Sequence, residues 1–322
     1  MTEALVETKL LTKHFEIGKG QTVHALDDVS LRIEPKEILG LVGESGSGKS
    51  TYGKTLIGLH AKTSGDAWLR GEKLPQRYKR LHFQKLGRDM QMIFQDPYSS
   101  LNPRMTVGEI IGEGLRLHRE VSGSEVQDRT VEWLRRVGLN ADHMSRYPHE
   151  FSGGQRQRIG IARALVLEPE FVVCDEPISA LDVSVQAQVV NLLDELKASM
   201  GLTLLFIAHD LSIVRYVSDR IAVMYLGCVI ETGPANSVFF DAKHPYTELL
   251  IQSNPEPDPK SERTRLSTRM KGEIPSPVNI APGCRFAQRC PKVMDVCREQ
   301  APDLLPLEGV SEERHVACYL YQ

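Results

Sequence analysis

The sequence has little of what marks a membrane-spanning, secreted or nucleic-acid-binding protein. Its 322 residues contain no apolar run that approaches the roughly 18 residues needed to cross a bilayer. A formal net charge of −3 argues against the strongly basic surface of a nucleic-acid binder. The first residues lack a basic region and an apolar core, so we expect no secretory signal. We therefore predict a cytosolic chain, long enough for two domains, that would serve a membrane only through a partner.

Short apolar runs alternate with helical patterns along most of the chain. Residues Leu10 to Ile33 alternate apolar and polar side chains, which predicts an antiparallel edge hairpin with one solvated face. Buried strands are predicted at Ile38–Val42, Phe171–Cys174, Leu204–Ala208 and Ile221–Tyr225. Helical stretches such as Val185–Met200 separate several of these strands. Buried strands that alternate with helices indicate an α/β fold with a mainly parallel sheet covered on both faces.

A glycine-rich turn after the first buried strand matches the phosphate-binding loop pattern. In such a loop the backbone N–H groups cradle phosphates, Lys49 reaches the β- and γ-phosphates, and Ser50 offers its hydroxyl to Mg²⁺. A strand-to-helix turn without a ligand is the alternative, but the Lys49-Ser50 pair in this context favours a nucleotide site. The predicted nucleotide-binding residues are Gly43, Glu44, Ser45, Gly46, Ser47, Gly48, Lys49, Ser50 and Thr51.

Polar side chains follow other apolar runs, and those of Asp175, Glu176 and His209 should lie at one edge of the sheet. Asp175 suits the Mg²⁺-holding role, and Glu176 suits the base that orients and polarises an attacking water. His209 would contact the γ-phosphate and help to hold Glu176 and the water. Gln95 would ligate Mg²⁺ or water where the sheet meets a helical insertion. Each residue alone is more typical of a solvated strand end, but together with the phosphate loop they indicate a catalytic site.

A second glycine-rich element follows Phe151 and precedes a helix. Ser152 is a good N-cap, and Gly153 and Gly154 let backbone N–H groups approach a ligand before the helix continues from Gln155. A helix N-terminus with exposed amides favours an anion. One domain bound to one nucleotide needs a single such site, so the second predicts a site shared between two chains.

The order and spacing of these motifs over roughly residues 5–250 resembles the ATP-binding subunits of ABC transporters. The resemblance implies a P-loop NTPase fold of the ABC type, with an antiparallel β edge and an inserted helical subdomain. It also implies a head-to-tail dimer that holds two ATP molecules, each between the phosphate loop of one chain and Ser152–Gln155 of the other. Asp182 would then lie at the dimer interface, and Phe15 would stack on adenine. Phe151 replaces the leucine that is commoner at the start of the signature.

Finer motifs look like those of the oligopeptide/dipeptide importer subgroup, and within it the second of two paired ATPase subunits. These motifs are residues 95–103, 146–151, 244–247 and 272–277. The resemblance implies ATP-driven uptake of peptides, two membrane permease subunits, an extracytoplasmic substrate-binding protein, and a paralogous ATPase or a second copy as dimer partner. It places the chain at the cytoplasmic face of the inner membrane. Nickel and glutathione importers share these motifs, and two further classes stay open: a soluble ABC ATPase without a transport role and an ATP-binding scaffold without turnover.

Composition divides the chain into three parts. Residues 1–252 would form the ATP-binding domain, with the helical insertion at about 85–167, because that stretch is polar and rich in helical patterns. Residues 253–271 are charged and rich in proline, which is typical of a linker. Residues 272–322 would form a small cysteine-rich C-terminal domain.

Four of the six cysteines lie in that last part, at Cys284, Cys290, Cys297 and Cys318. Their spacing suits a metal or iron–sulfur centre, but the two-residue spacings of zinc ribbons are absent. From spacing alone, unligated core cysteines and disulfides stay open. The resemblance to peptide-importer ATPases puts a [4Fe–4S] cluster first and Zn²⁺ second, in a structural role. Cys174 and Cys228 are expected to be ordinary buried residues.

Overall fold

The computed structural model of the protein describes residues 3–18, 20–118, 122–253, 275–309 and 313–322. The linker predicted at 253–271 lies, beyond Ser253, outside the described residues, as do the first three residues of the cysteine-rich region. Every residue predicted for the catalytic site and for the metal centre is described.

The N-terminal part forms the predicted antiparallel edge. Strands β1 (Val6–Glu16) and β2 (Thr22–Ile33) form a hairpin. Strands β4 (Ser64–Leu69) and β5 (Glu72–Lys73) extend this sheet, in the order β2-β1-β4-β5. The alternation of buried and exposed residues along β2 explains why one face packs on the core and the other meets solvent.

The second sheet has eight strands, and its middle is parallel. In spatial order its strands are β11 (Leu305–Pro306), β12 (His315–Val316), β10 (Cys228–Pro234), β9 (Arg220–Tyr225), β3 (Ile38–Val42), β8 (Thr203–Ala208), β7 (Phe171–Asp175) and β6 (Met90–Ile93). Every residue of β3, β7 and β8 is buried, as continuous apolar runs predict for strands covered on both faces. Their carboxyl ends therefore meet at one edge, where ligands bind in open α/β sheets.

Helices of the described chain cover this sheet and build a separate helical block. They are α1 (Lys49–Leu56), α2 (Arg80–Leu86), α3 (Pro97–Ser100), α4 (Val107–His118), α5 (Gly123–Arg136), α6 (Gly153–Leu165), α7 (Val183–Met200), α8 (Leu211–Val217), α9 (Ala235–Phe240), α10 (Pro245–Gln252) and α11 (Val296–Glu299). Helices α4, α5 and α6 pack around a mainly apolar centre that includes Trp133 and Leu115. This helical block of α4, α5 and α6 is narrower than the predicted insertion at 85–167. Strand β6 lies inside that range but pairs in parallel with β7 of the eight-stranded sheet, which is the main sheet of the molecule.

The C-terminal segment packs on the main sheet. Strand β12 pairs antiparallel with β10, and β11 pairs with β12. Phe286 is fully buried and belongs to the same apolar cluster as the sheet. Arg314 joins the buried Glu231 of β10 at 3.1 Å and Asp241 at 3.0 Å. These contacts make the segment an extension of the main sheet, and they bring residues near 285–290 close to the phosphate loop.

Candidate active site

The phosphate loop connects β3 to α1 and wraps around the ammonium group of Lys49. Lys49 Nζ donates to the carbonyl oxygens of Gly43 (2.7 Å) and Glu44 (3.0 Å). The side chain is buried, and burial lowers the pKa of Lys49, while the carboxylates of Glu176 and Asp175 oppose that shift. A buried ammonium group held by carbonyls is poised to meet an anionic ligand, as the loop pattern predicts.

Glycine is required at Gly48, the residue before α1. Its φ is +105°, in the region that L side chains rarely adopt. A Cβ there would lie 2.3 Å from the carbonyl oxygen of Ala25. The loop therefore depends on this glycine for both its turn and its approach to β2.

Two side-chain oxygens that could hold a divalent cation meet beside the loop. Ser50 Oγ donates to Asp175 Oδ1 at 2.6 Å, and Asp175 is 1% exposed at the end of β7. Lys54, one helical turn after Ser50, places Nζ 3.5 Å from the other carboxylate oxygen. Hydroxyl and carboxylate oxygens are the donors that Mg²⁺ prefers, so this pair fits the ion. Sequence reasoning missed Lys54, although its position four residues after Ser50 puts both on one helix face.

Glu176 occupies an unusual backbone position directly after β7. Its φ is +45°, and its N–H donates to the carbonyl oxygen of Ile207 at 3.0 Å. A non-glycine residue in the left-handed region is uncommon, and such residues cluster at functional sites. The hydrogen bond to Ile207 of β8 holds the backbone turn at Glu176, the predicted catalytic acid.

Gln95 and His209 surround the Glu176 carboxylate. Gln95 Nε2 donates to Glu176 Oε2 at 2.8 Å, and His209 Nδ1 lies 4.0 Å from the same oxygen. The glutamate side chain is 16% exposed, whereas that of His209 is 62% exposed. The structure thus places both Gln95 and His209 beside Glu176, whereas the sequence analysis assigned only Glu176 and His209 to one sheet edge. The contact of Gln95 is with the acid Glu176, and its predicted role as a Mg²⁺ ligand stays a prediction.

Phe15, predicted to stack on adenine, is half-buried near the end of β1. Its ring meets His60 edge-on with centroids 5.3 Å apart, and Lys13 Nζ lies 4.5 Å from its centroid. The stacking role stays a prediction.

The second glycine-rich element begins α6. Ser152 Oγ accepts from the Gln155 N–H at 3.3 Å, and Gln155 Oε1 accepts from the Ser152 N–H at 3.0 Å. This reciprocal cap satisfies two amide groups and leaves Ser152 and Gly153 exposed. Among the described residues, no hydrogen bond joins this turn to the phosphate loop of the same chain. Asp182, predicted at a dimer interface, is exposed at the N-cap of α7.

The four C-terminal cysteines line one small apolar pocket together with Phe286. All six cysteines of the chain lie in described regions, and none forms a disulfide. Burial raises the pKa of Cys284 to about 11, and the other three C-terminal thiols add to that shift. No three of these four sulfur atoms lie within 4.8 Å of one another. As predicted, Cys174 is buried, whereas Cys228, for which the same was expected, is only half-buried, with its thiol 3.7 Å from the carbonyl oxygen of Asp27.

The C-terminal segment also reaches the phosphate loop, which sequence reasoning missed. Arg289 donates to both carboxylate oxygens of Glu44, at 2.7 and 3.1 Å. The two residues are 245 positions apart, so no local sequence pattern reveals this pair.

Comparison with solved structures finds the same architecture in ATP-binding cassettes. CbiO1 of Clostridium perfringens, part of the ABC transporter complex cbiONQ, superposes with a TM-score of 0.66 at 28% identity, over 74% of this chain and 92% of that one. The cassette MJ0796, solved as a dimer in a post-hydrolysis state with ADP and Pi, gives a TM-score of 0.65 at 30% identity, over 71% and 98%.

Sequence relatives match over nearly the whole length. The oligopeptide transport ATP-binding protein OppF of Escherichia coli (strain K12) is 50% identical over 326 residues, covering 98% of this chain and 96% of that protein. The chain belongs to the ABC transporter family. OppF of Bacillus subtilis (strain 168) is 56% identical over 267 residues, covering 83% of this chain and 87% of that protein. The ABC transporter model matches residues 26–179 of this ABC subunit, and the oligopeptide/dipeptide transporter C-terminal region matches residues 230–297.

These matches confirm the predicted family and the predicted subgroup. The ABC subunit is an ATPase of the transporter type, and its expected cofactors are ATP and Mg²⁺. Across the described residues, no helix of this ABC subunit has the length and apolar character needed to cross a membrane.

Proposed function

We propose that the chain hydrolyses ATP to power the import of di- and oligopeptides. The observation that carries this proposal is similarity that extends through the C-terminal region to relatives named for oligopeptide transport. The motifs are shared with nickel and glutathione importers, but neither OppF relative is named for either cargo. The intact acid and its neighbours at the sheet edge argue against a scaffold that binds ATP without turnover.

Hydrolysis centres on Glu176. The Glu176 carboxylate accepts a proton from the attacking water. The Gln95 amide orients this carboxylate through the 2.8 Å hydrogen bond. His209, 4.0 Å from the same oxygen, helps to position the acid and the γ-phosphate. Ser50 and Asp175 would hold Mg²⁺, which supplies positive charge to the phosphate oxygens when it is bound. Lys49 binds the β- and γ-phosphates, and Phe15 stacks on the adenine.

Two chains complete each site. The capped first turn of α6 exposes Ser152 and Gly153, with the positive end of the helix facing solvent. That turn would bind the γ-phosphate held by the phosphate loop of the partner chain, with Asp182 at the interface. The family resemblance favours a paralogous ATPase over a second copy of this chain as the partner.

The other partners follow from the family. Two membrane permease subunits would receive the movement that ATP drives, and an extracytoplasmic binding protein would deliver the peptide. Gln95 lies between β6 and the helical block and contacts Glu176, so this segment is placed to report the state of the nucleotide to a permease. The chain would then work at the cytoplasmic face of the inner membrane, without nucleic acid.

The C-terminal cysteines would hold a [4Fe–4S] cluster in a structural role. Four thiols around one apolar pocket match the ligand count of such a cluster. Iron and sulfide analysis after anaerobic purification should give about four of each per chain. Zinc, or no metal, in that preparation would end the cluster assignment.

A transport assay in cells tests the cargo. Deletion of the gene should abolish uptake of labelled di- and oligopeptides and leave nickel and glutathione uptake intact. Plasmid-borne wild-type chain should restore uptake, and the Glu176→Gln chain, expressed equally, should not. Loss of nickel or glutathione uptake instead of peptide uptake would overturn the proposed cargo.

A further inference from the structure

Residue Glu44 of the phosphate loop is held by the C-terminal segment. The guanidinium group of Arg289 donates through two nitrogens to the two carboxylate oxygens of Glu44, at 2.7 and 3.1 Å. This two-point arrangement fixes orientation as well as distance, because the guanidinium group and the carboxylate are both planar. The hydrogen bonds to the Glu44 carboxylate raise the pKa of Arg289.

Aromatic residues hold both Arg289 and Glu44 in position. The Tyr225 hydroxyl accepts from Arg289 at 3.3 Å, and the Tyr246 hydroxyl accepts from the backbone N–H of Glu44 at 2.8 Å. The rings of Tyr225 and Tyr246 both pack against the fully buried Phe286, with centroids 5.3 and 5.4 Å away. Glu44 is therefore anchored through its side chain and its backbone at once.

The ion pair is shielded from water. The side chain of Arg289 is 5% exposed and that of Glu44 is 20% exposed. Solvent-exposed ion pairs contribute little to stability. Removing one partner of a shielded ion pair, in contrast, leaves the other charge buried and uncompensated. Glu44 also supplies one of the two carbonyl oxygens that hold Lys49, so movement of Glu44 would displace the residue that binds the phosphates.

We propose that Arg289 is a positioning residue for the ATP site. Through Glu44 it holds the phosphate loop in its binding conformation, so that ATP binding costs less ordering of the loop. Arg289 immediately precedes Cys290, so the loop is tied to the same segment that carries the cysteine pocket. The inference rests on ATP binding at the loop and is independent of the transported cargo.

A double-mutant cycle on the purified chain tests this role. The dissociation constant of ATP with Mg²⁺ is measured by titration calorimetry for the wild type, Arg289→Gln, Glu44→Gln and the double variant. Each single variant should bind ATP about tenfold more weakly than the wild type. The double variant should bind no more weakly than either single variant, because each substitution removes the same Arg289–Glu44 ion pair. Lys292→Gln is the control, since it breaks a partly exposed ion pair between the C-terminal segment and Glu248 of α10, and it should change ATP affinity less than about twofold.

A second readout separates positioning from general stability. Hydrogen exchange of the amides at 43–50 should accelerate in Arg289→Gln, while exchange along β7 stays as in the wild type. Arg289→Lys keeps the charge but loses the two-point geometry, so its ATP affinity should lie between those of the wild type and Arg289→Gln. If Arg289→Gln does not fold, the same cycle with Arg289→Lys decides. Unchanged ATP affinity in folded Arg289 variants would refute the proposal, and so would strictly additive effects with Glu44→Gln. Peptide uptake is not measured in these experiments, so an error in the assigned cargo cannot imitate either result.

Discussion

Substitution Glu176→Gln should stop hydrolysis while leaving the site assembled. The amide has the shape of the carboxylate, and its oxygen can still accept the hydrogen bond that Gln95 donates at 2.8 Å. The unusual backbone at φ +45° is held by the N–H of residue 176 and Ile207, which the substitution does not touch. What the variant loses is the carboxylate that we propose accepts a proton from water.

The size of the effect follows from that loss. A positioned general base contributes about 10²–10⁴-fold to rate, so turnover in the assembled transporter should fall by about that factor. Affinity for ATP should change by less than about twofold, because the substitution leaves untouched Lys49 and the loop, which are proposed to contact the phosphates. ATP-bound dimers should therefore accumulate.

The assay pairs phosphate release with the size of the complex in the presence of ATP. Glu170→Gln is the matched control, because Glu170 precedes β7 at the opposite end of the same strand, in an exposed ion pair with Arg70. That variant should hydrolyse ATP at the wild-type rate. A normal rate in Glu176→Gln would refute the assignment of the base, and equal losses in both variants would point to a damaged fold.

Three further substitutions test other parts of the account. Ser152→Arg should abolish turnover in the assembled transporter but leave ATP binding by the isolated chain intact, and loss of both would contradict a role for this residue on the partner's nucleotide. Gly48→Ala should abolish ATP binding in calorimetry, since its Cβ would lie 2.3 Å from the Ala25 carbonyl; wild-type affinity would show that the loop tolerates a side chain. Trp133→Ala, in the buried centre of the helical block, should lower the free energy of unfolding by about 3–5 kcal/mol in urea titration, and a loss under about 1 kcal/mol would contradict tight packing there.

Much of the geometry of the candidate active site was predictable, because local patterns place its residues. Asp175 and Glu176 end a strand of apolar residues, and His209 ends the neighbouring one, so parallel pairing of β7 and β8 must bring them together. The phosphate loop is also local, since its glycines and Lys49 lie within one turn between a strand and a helix. The hydrogen bond between Gln95 and Glu176 follows from the adjacent pairing of β6 and β7.

Other features depend on tertiary contacts that no local pattern encodes. Strand β6 is only four residues long and lies within a polar, helix-rich stretch. The sequence analysis therefore included it in the helical insertion and did not predict its pairing with the sheet. The pair of Arg289 and Glu44 joins residues at opposite ends of the chain, and Arg289 alone looks like any charged residue of a loop. The spacing of the four cysteines suggested a shared centre, but only their common pocket shows that Phe286 lies among them.

Peptide accumulation in a reconstituted transporter tests the central claim most directly. The chain would be assembled in lipid vesicles with the permease subunits, the partner ATPase and the binding protein encoded beside it, with the nucleotide sites on the side to which ATP is supplied. The account predicts that labelled peptide crosses the membrane only when ATP and Mg²⁺ are present, and that Glu176→Gln abolishes both hydrolysis and transport. Peptide movement that continues at the wild-type rate in that variant, or hydrolysis without any peptide movement, would contradict it.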